Sequence, residues 1–193
     1  MQIVTRELSR LERAALEGHL LALADEDRRL RFGVVLPDAA ISDYVSGVDF
    51  GRDAVFGVFD ESLRLVAAAH LARCEGHAEL GVSVLPDWRG RGAGAALLAR
   101  SHTHARNWGI RALFMHCLSE NGAMMHLARK QGMCIVTQQG ETDAWLKLPP
   151  ADASSYAHEL LAERLGLFDF ALKRQLYAVR SIADALRLKP GTA

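Results

Sequence analysis

The sequence predicts a mixed α/β fold: one central sheet of antiparallel and parallel strands flanked by helices, with a helical extension at the C-terminus. Three observations carry this. Between Asp53 and Val84, three apolar runs follow one another with only short polar turns between them, the pattern of an antiparallel meander. The third run leads through a glycine-rich loop into an alanine- and leucine-rich helix and then another apolar run, a strand–helix–strand unit that closes in parallel. Beyond Pro149-Pro150, apolar residues recur at spacings of three and four, which is helix.

Taken in order, Gln2 to Arg6 alternates as a short first strand. Ser9 caps a helix through about Ala24, with Leu16, Leu20 and Leu23 as its apolar stripe and Gly18 as a weak point inside it. Asp25-Glu26-Asp27 opens a short helix, its acids favoured by the helix dipole, and another short helix spans Asp38 to Val45. Asp53 to Phe59 and Leu63 to Ala72 are strands joined at Asp60-Glu61-Ser62. Arg73 to His77 turns the chain into a third strand, Ala78 to Val84. Pro86-Asp87 ends that strand, because proline cannot donate to a ladder.

The helix from Ala93 to Trp108 gathers Leu97, Leu98, Ser101, Ala105 and Trp108 on one face and turns Thr103, Arg106 and Asn107 away. Gly109 is its C-cap. Arg111 to Leu118 is a nearly continuous apolar strand, as expected where both faces are covered. A helix from Ala123 to Gln131 stops at Gly132. A hairpin, Met133 to Gln138 and Ala144 to Leu148, turns through Gln139 to Asp143. The segment Ser155 to Leu188 is one or two helices, with Gly166 as a possible break.

Composition narrows the function. The 193 residues are 50% hydrophobic and 24% charged, with zero formal net charge. That balance gives no footprint for nucleic acid or an anionic membrane. No apolar run approaches a spanning length, and the N-terminus lacks a signal peptide's hydrophobic stretch. The three cysteines, Cys74, Cys117 and Cys134, have no C-x-x-C spacing and read as reduced thiols of a cytoplasmic protein. The eight histidines are scattered, so no metal site is expected.

The chemistry concentrates at Arg89-Gly90-Arg91-Gly92-Ala93-Gly94. Glycines just before a helix leave backbone N–H groups uncovered, and with the positive end of the helix dipole they form an anion site suited to a pyrophosphate. A glycine-rich turn without a ligand is the plainer reading, but two arginines among three glycines are unusual in an idle turn. Gly90-x-Gly92-x-x-Ala95 also fits the dinucleotide fingerprint. That fold opens with parallel strand–helix–strand units, however, and here an antiparallel meander leads into the loop.

Arg89-x-x-Gly92-x-Gly94 resembles the R/Q-x-x-G-x-G/A signature of the GNAT superfamily of N-acetyltransferases. The stretch Val84 to Arg89 and the downstream Asn121…Leu127…Gly132 are similar as well. The resemblance spans residues 1–148, most sharply 79–133. It implies a GNAT-like domain over 1–148, with a central mixed, splayed sheet, and leaves 149–193 as a linker and helical extension. It implies acetyl-CoA as cofactor. Its pantetheine arm would pair with the backbone of Val82, Ser83 and Val84, and its pyrophosphate would lie on Arg89, Gly90, Arg91, Gly92, Ala93, Gly94 and Ala95. Asn121 and Met124, in the downstream pattern, join the cofactor side.

Acetyl transfer to an amine needs a base for the ammonium, a donor for the oxyanion and a leaving thiolate. The resemblance makes Glu79, which opens the glycine-loop strand, the first candidate base. The alternative is His70 on the neighbouring strand, whose imidazole titrates near neutrality. A backbone amide of Val84 or its neighbours is the candidate oxyanion donor. The helices between the first two strands form a wall of the acceptor site in the resembled family, which brings in Arg31, Phe32, Tyr44 and Asp49. One departure stands out. Where the family commonly has a tyrosine that protonates the leaving thiolate, this chain has Ala128. A thiol pKa near 8.5 lets the thiolate leave without a strong acid, and Ser119, Cys117 or His126 are possible substitutes.

The expected function is therefore acetyl-CoA-dependent N-acetyl transfer, by direct attack of a small-molecule or protein amine on the thioester. A non-catalytic acyl-CoA-binding module is the alternative that Ala128 favours. The apolar stripe of the C-terminal helix needs a surface to cover, either its own domain or a second subunit in a homodimer.

Overall fold

The computed structural model describes residues 3–187. After β1 (Arg6–Glu7) and a 3₁₀ turn (Arg10–Glu12) come α1 (Arg13–Leu21), α2 (Asp25–Phe32) and α3 (Asp38–Gly47). The meander follows as β2 (Ala54–Phe59), β3 (Leu65–Arg73) and β4 (Ala78–Val84). A 3₁₀ turn (Pro86–Trp88) leads to α4 (Ala93–Asn107), β5 (Ala112–Leu118), α5 (Gly122–Lys130), β6 (Cys134–Gln138), β7 (Glu141–Lys147) and α6 (Ala153–Arg187).

The strands form one open, mixed sheet of seven in the order β1-β2-β3-β4-β5-β7-β6. Every neighbouring pair is antiparallel except β4 and β5, which run parallel across the α4 crossover. The parallel pairing is short: only Ala78↔Leu113 and Glu79↔Phe114 are in register. From Leu80 onward β4 keeps β3 as its partner and β5 keeps β7, so the sheet splays open between them.

Helices cover both faces, which is why the meander strands read as unbroken apolar runs: β2 is buried at all six positions. Phe56 faces α4, meeting the His104 ring edge-on at 5.2 Å. His70, beside Phe56's cross-strand partner Ala69, faces the other way, toward Tyr44 on α3. Leu71, Leu97, Leu98, Leu113 and Met115 lie in the centre of the core. Each such side chain contributes roughly 2 kcal/mol of transfer free energy.

Several elements differ from expectation, for identifiable reasons. The first strand is shorter and later, because only Arg6 and Glu7 find partners, Gly57 and Phe56 on β2; Gln2 lies outside the described residues. Ser9 opens a 3₁₀ turn, its amide donating to the Glu12 carboxylate at 2.9 Å, and the α-helix begins after it and passes Gly18 unbroken. The last hairpin is tighter than the sequence suggested. Gln139 and Gly140 both adopt left-handed backbone (φ 52° and 89°), the two-residue turn that matches strand twist, so β7 starts at Glu141.

The C-terminal segment is one helix. Gly166 does not break it; it is the point where α6 crosses β1, and a Cβ there would lie 2.5 Å from the Thr5 carbonyl oxygen. Leu188 lies outside the described residues. Arg106 and Asn107 of α4, expected to face away, instead anchor α6. Arg106 donates to the Pro150 carbonyl (2.8 Å) and Asp152, and Asn107 donates to the Ser155 carbonyl (3.1 Å) and to Glu159. His104 and Arg100 also reach Glu159. Burial would raise that carboxyl's pKa, but the hydrogen bonds from His104 and Asn107 hold it below the usual range.

Candidate active site

Two cavities open where β4 and β5 part. The larger, about 480 Å³, runs along the free edge of β4 to the start of α4. Its walls include Val82, Ser83 and Val84, the loop residues Arg89, Gly90, Gly92, Ala93, Gly94 and Ala95, and Asn121 and Met124 on the α5 side. The loop can take this path because Gly90 and Gly92 adopt φ of 72° and 89°, conformations side-chain-bearing residues rarely enter. The first bond of α4 runs from the Ala96 amide to the Gly92 carbonyl at 3.0 Å. The amides before it therefore have no intrahelical acceptor, and the residues that carry them, Gly92 to Ala95, line the cleft at the positive end of the helix.

The two loop arginines part company. Arg89 lines the cleft, donating from Nε to the Val84 carbonyl (3.2 Å) and pairing with Asp27 on α2. Arg91 stays outside, its guanidinium 5.0 Å from the centre of the Trp88 ring. Its guanidinium therefore rests on Trp88 at the rim of the loop in this structure. Ser83 presents backbone to the cleft, while its hydroxyl is taken by the core. His19 Nδ1 donates to the Leu65 carbonyl (3.0 Å), which leaves Nε2 to accept the Ser83 hydroxyl at 2.8 Å. Burial pushes the His19 pKa down to about 4, so the ring is neutral.

The smaller cavity, about 290 Å³, lies on the other side of the Leu30–Arg31 turn of α2, which walls both. Glu79 and His70 both line it, with Arg31, Phe32, Tyr44 and Cys117. Glu79 is exposed at the last paired position before the splay. His70 is largely buried and engaged at both nitrogens, Nδ1 with the Tyr44 hydroxyl (2.7 Å) and Nε2 with Asp53 Oδ2 (3.3 Å). Burial lowers its pKa, with the Arg31 charge adding to that effect and Asp53 and Glu79 opposing it. Asp49 is not part of this wall; its carboxylate accepts the Gly51 amide at 2.9 Å and shapes the turn into β2.

A family model described as the acetyltransferase (GNAT) family matches residues 19–133, more than half of the chain. The chain belongs to the GNAT family of acetyltransferases. Among solved structures it is similar to the GNAT domain of S. lividans PAT, at 19% identity and TM-score 0.64, covering 75% of this chain and 89% of that one. It is similar to yncA from Salmonella typhimurium, solved with its cofactor acetyl-CoA (17% identity, TM-score 0.59, 79% and 98% covered). The ribosomal-protein-S18-alanine N-acetyltransferase from Escherichia coli is a third (18% identity, TM-score 0.56, 79% and 96% covered). No curated protein matches by sequence. These likenesses share the GNAT fold, with its mixed sheet and flanking helices, and acetyl-CoA is the cofactor of such N-acetyltransferases.

The cleft suits that cofactor on its own terms. It offers a free strand edge for an amide-bearing arm, uncapped amides for a pyrophosphate, and no Cβ at Gly90 or Gly92 to fill the cradle. Ala128, at the GNAT tyrosine position, is buried in the core on α5. Of the possible substitutes for that tyrosine, Cys117 lines the smaller cavity, with its thiol pKa raised by burial. His126 lines the larger cavity, and Ser119 lines neither. Sequence reasoning missed Asp53 and Asp27. Both look like turn or helix-start acids in sequence, and nothing local announces their distant partners. No helix among the described residues is long and apolar enough to cross a membrane.

Proposed function

We propose that this chain transfers the acetyl group of acetyl-CoA to an amine, small-molecule or protein-borne, by direct attack of that amine on the thioester. One observation carries the reading: the two cavities share the Leu30–Arg31 wall at the splay, so a cofactor arm along β4 would meet an acceptor in the smaller cavity. Val82 to Val84 would hold the arm through backbone groups. The Gly90–Ala95 amides and Arg89 would hold the pyrophosphate, with Asn121 and Met124 on the facing wall. Bound there, acetyl-CoA supplies an activated acetyl group. Glu79 and His70 are the candidate bases lining the smaller cavity, to which the proton of the acceptor ammonium can pass directly or through a neighbouring group.

Calorimetric titration with CoA and an acetyl-CoA turnover assay over a broad amine panel test this together. Wild type binds CoA and releases thiol with at least one amine. Gly92→Val, strained at φ 89°, loses CoA binding while its circular dichroism is retained. Unchanged binding in that variant removes the cofactor site. The non-catalytic module rests on the buried Ala128, and it gains the field if CoA binds and no amine in the panel is acetylated.

Residues 1–148 form the acetyltransferase domain in this reading, and 149–193 the linker and extension. α6 docks on α4 and β1 through Ser155, Glu159, Gly166 and Phe170, leaving Leu161, Leu165, Phe168, Leu172, Val179, Ile182 and Leu186 exposed on the other side. Those positions alternate by four and three, with Gln175 at the one polar step, which is a heptad seam. A seam of nearly four heptads, facing away from its own domain, supports a homodimer joined through α6. The free thiols Cys74, Cys117 and Cys134 support a cytoplasmic location.

A further inference from the structure

We propose that Tyr44 is a catalytic residue, the group that takes the proton from the acceptor ammonium, and that His70 and Asp53 position it and receive that proton behind it. This rests on the acetyl-transfer reading of the smaller cavity.

The tautomer of His70 follows from its partners. Asp53 Oδ2 can only accept, so His70 Nε2 carries the hydrogen toward it across 3.3 Å. A neutral imidazole then has Nδ1 free to accept, and the Tyr44 hydroxyl 2.7 Å away must donate to it. Arg31 Nη2, a donor only, points at the same Tyr44 oxygen from 3.2 Å. The chain of bonds therefore has one direction, from Arg31 through Tyr44 and His70 to Asp53. Tyr44 is left with a lone pair at the wall of the cavity that also contains Glu79.

His70 has no nitrogen left for an acceptor amine. It is nearly enclosed, and both ring positions are occupied, so direct deprotonation by the imidazole would require breaking one of them. Proton transfer through Tyr44 needs no rearrangement. An ammonium proton moves to Tyr44 Oη while the Tyr44 proton moves to His70 Nδ1, and the resulting imidazolium faces the Asp53 carboxylate. The amine's freed lone pair forms the C–N bond as the thioester C–S bond breaks, and the departing sulfur keeps that electron pair and takes up the second N–H proton, leaving a neutral amide and a thiol. Tyrosine is neutral before and after; the charge rests on His70.

Asp53 is built to receive that charge. Its side chain is 2% exposed. Burial would raise its pKa, but Arg52 (2.9 Å), the Arg73 amide (3.1 Å) and His70 hold it below the usual range, so it stays a carboxylate. The groups facing His70 are Arg31 from α2, Tyr44 from α3, Asp53 from the turn before β2 and Glu79 from β4; His116 from β5 lines the same cavity. Glu79, exposed at the mouth, attracts the ammonium in this arrangement.

Two measurements on the full chain test the relay. In ¹⁵N-histidine spectra, with His70 assigned by its loss in His70→Gln, the neutral ring shows Nδ1 unprotonated and Nε2 protonated. The opposite tautomer overturns the proposal. With an amine taken from the panel, Tyr44→Phe keeps the ring packing and CoA affinity but lowers kcat roughly 10²-fold. It also loses the limb of the pH–rate profile in which rate rises as His70 becomes neutral. Asp53→Asn shifts that limb, whereas Glu79→Gln raises the amine KM and keeps it. Wild-type kcat and profile in Tyr44→Phe overturn the proposal. A panel with no turnover counts against acetyl transfer itself, and the tautomer then decides the relay alone.

Discussion

Arg89 Nη2 lies 2.5 Å from Asp27 Oδ1, so the arginine of the glycine-loop signature is ion-paired across the cleft to the first turn of α2. Both side chains line the cavity proposed for the cofactor. A phosphate oxygen arriving there finds its arginine already shared with a carboxylate, and a negative charge beside it. A half-exposed pair of this kind is worth up to about 1 kcal/mol, so competition for the guanidinium alters affinity by a few-fold. Asp27→Asn, which keeps an acceptor for Arg89 but removes the charge, is expected to tighten CoA binding several-fold, more at low salt than at high. Arg89→Ala is expected to weaken it roughly tenfold. Calorimetric titration at two ionic strengths reads both.

His19 makes the fold acid-sensitive. Its ring is buried between Leu65 and Ser83, and burial lowers its pKa from 6.5 to about 4. Between those values the unfolded chain binds a proton that the folded ring refuses. Stability is therefore full above pH 6.5 and falls as pH drops toward 4. The loss attributable to this group is about 3 kcal/mol. Urea denaturation at pH 7 and pH 4.5 is expected to show that decrease in wild type and a shallower one in His19→Gln, which has no proton to take up.

The exposed seam of α6 gives a test of assembly. Leu165→Glu with Leu172→Glu changes side chains on the solvent side of the helix, away from Ser155, Gly166 and Phe170. The pair is expected to halve the mass seen in light scattering without lowering the melting temperature of the domain. Full-length wild type that is monomeric at high concentration excludes the dimer.

What could be read in the sequence was what is local. The glycine loop was legible because positive φ and uncapped amides are properties of a few consecutive residues, and the meander because its apolar runs are contiguous. Glu79 could be named through the family resemblance, and His70 because consecutive strands place β3 beside β4, with His70 opposite Gly81 in register. Tyr44, Asp53 and Asp27 gain their partners at long range: Tyr44 and His70 are 26 positions apart, Arg89 and Asp27 on different elements. Periodicity identified the apolar stripe of α6 but not which face docks. The face that meets the domain is mostly small or polar, with Ser155, Glu159 and Gly166 beside Phe170, so hydrophobicity gives little signal for it.

Gly166 offers the sharpest check on that docking. In the middle of an unencumbered helix, Gly→Ala gains about 1 kcal/mol, because alanine loses less backbone freedom on folding. At Gly166 the added Cβ would stand 2.5 Å from the Thr5 carbonyl oxygen and 3.2 Å from the Arg6 Cα, both backbone and unable to swing aside. α6 would have to lift from β1. That would disturb the link from Lys173 Nζ to the Phe59 carbonyl at 2.9 Å and the edge-to-face contact of Phe170 with Phe59, whose ring centres are 4.8 Å apart. The steric term, roughly 1–3 kcal/mol for overpacking, exceeds the propensity gain. Gly166→Ala is therefore expected to destabilise the protein in urea denaturation, whereas Ala171→Gly, on an exposed turn of the same helix, costs only about the propensity difference. A stabilised Gly166→Ala would mean that α6 does not sit on β1.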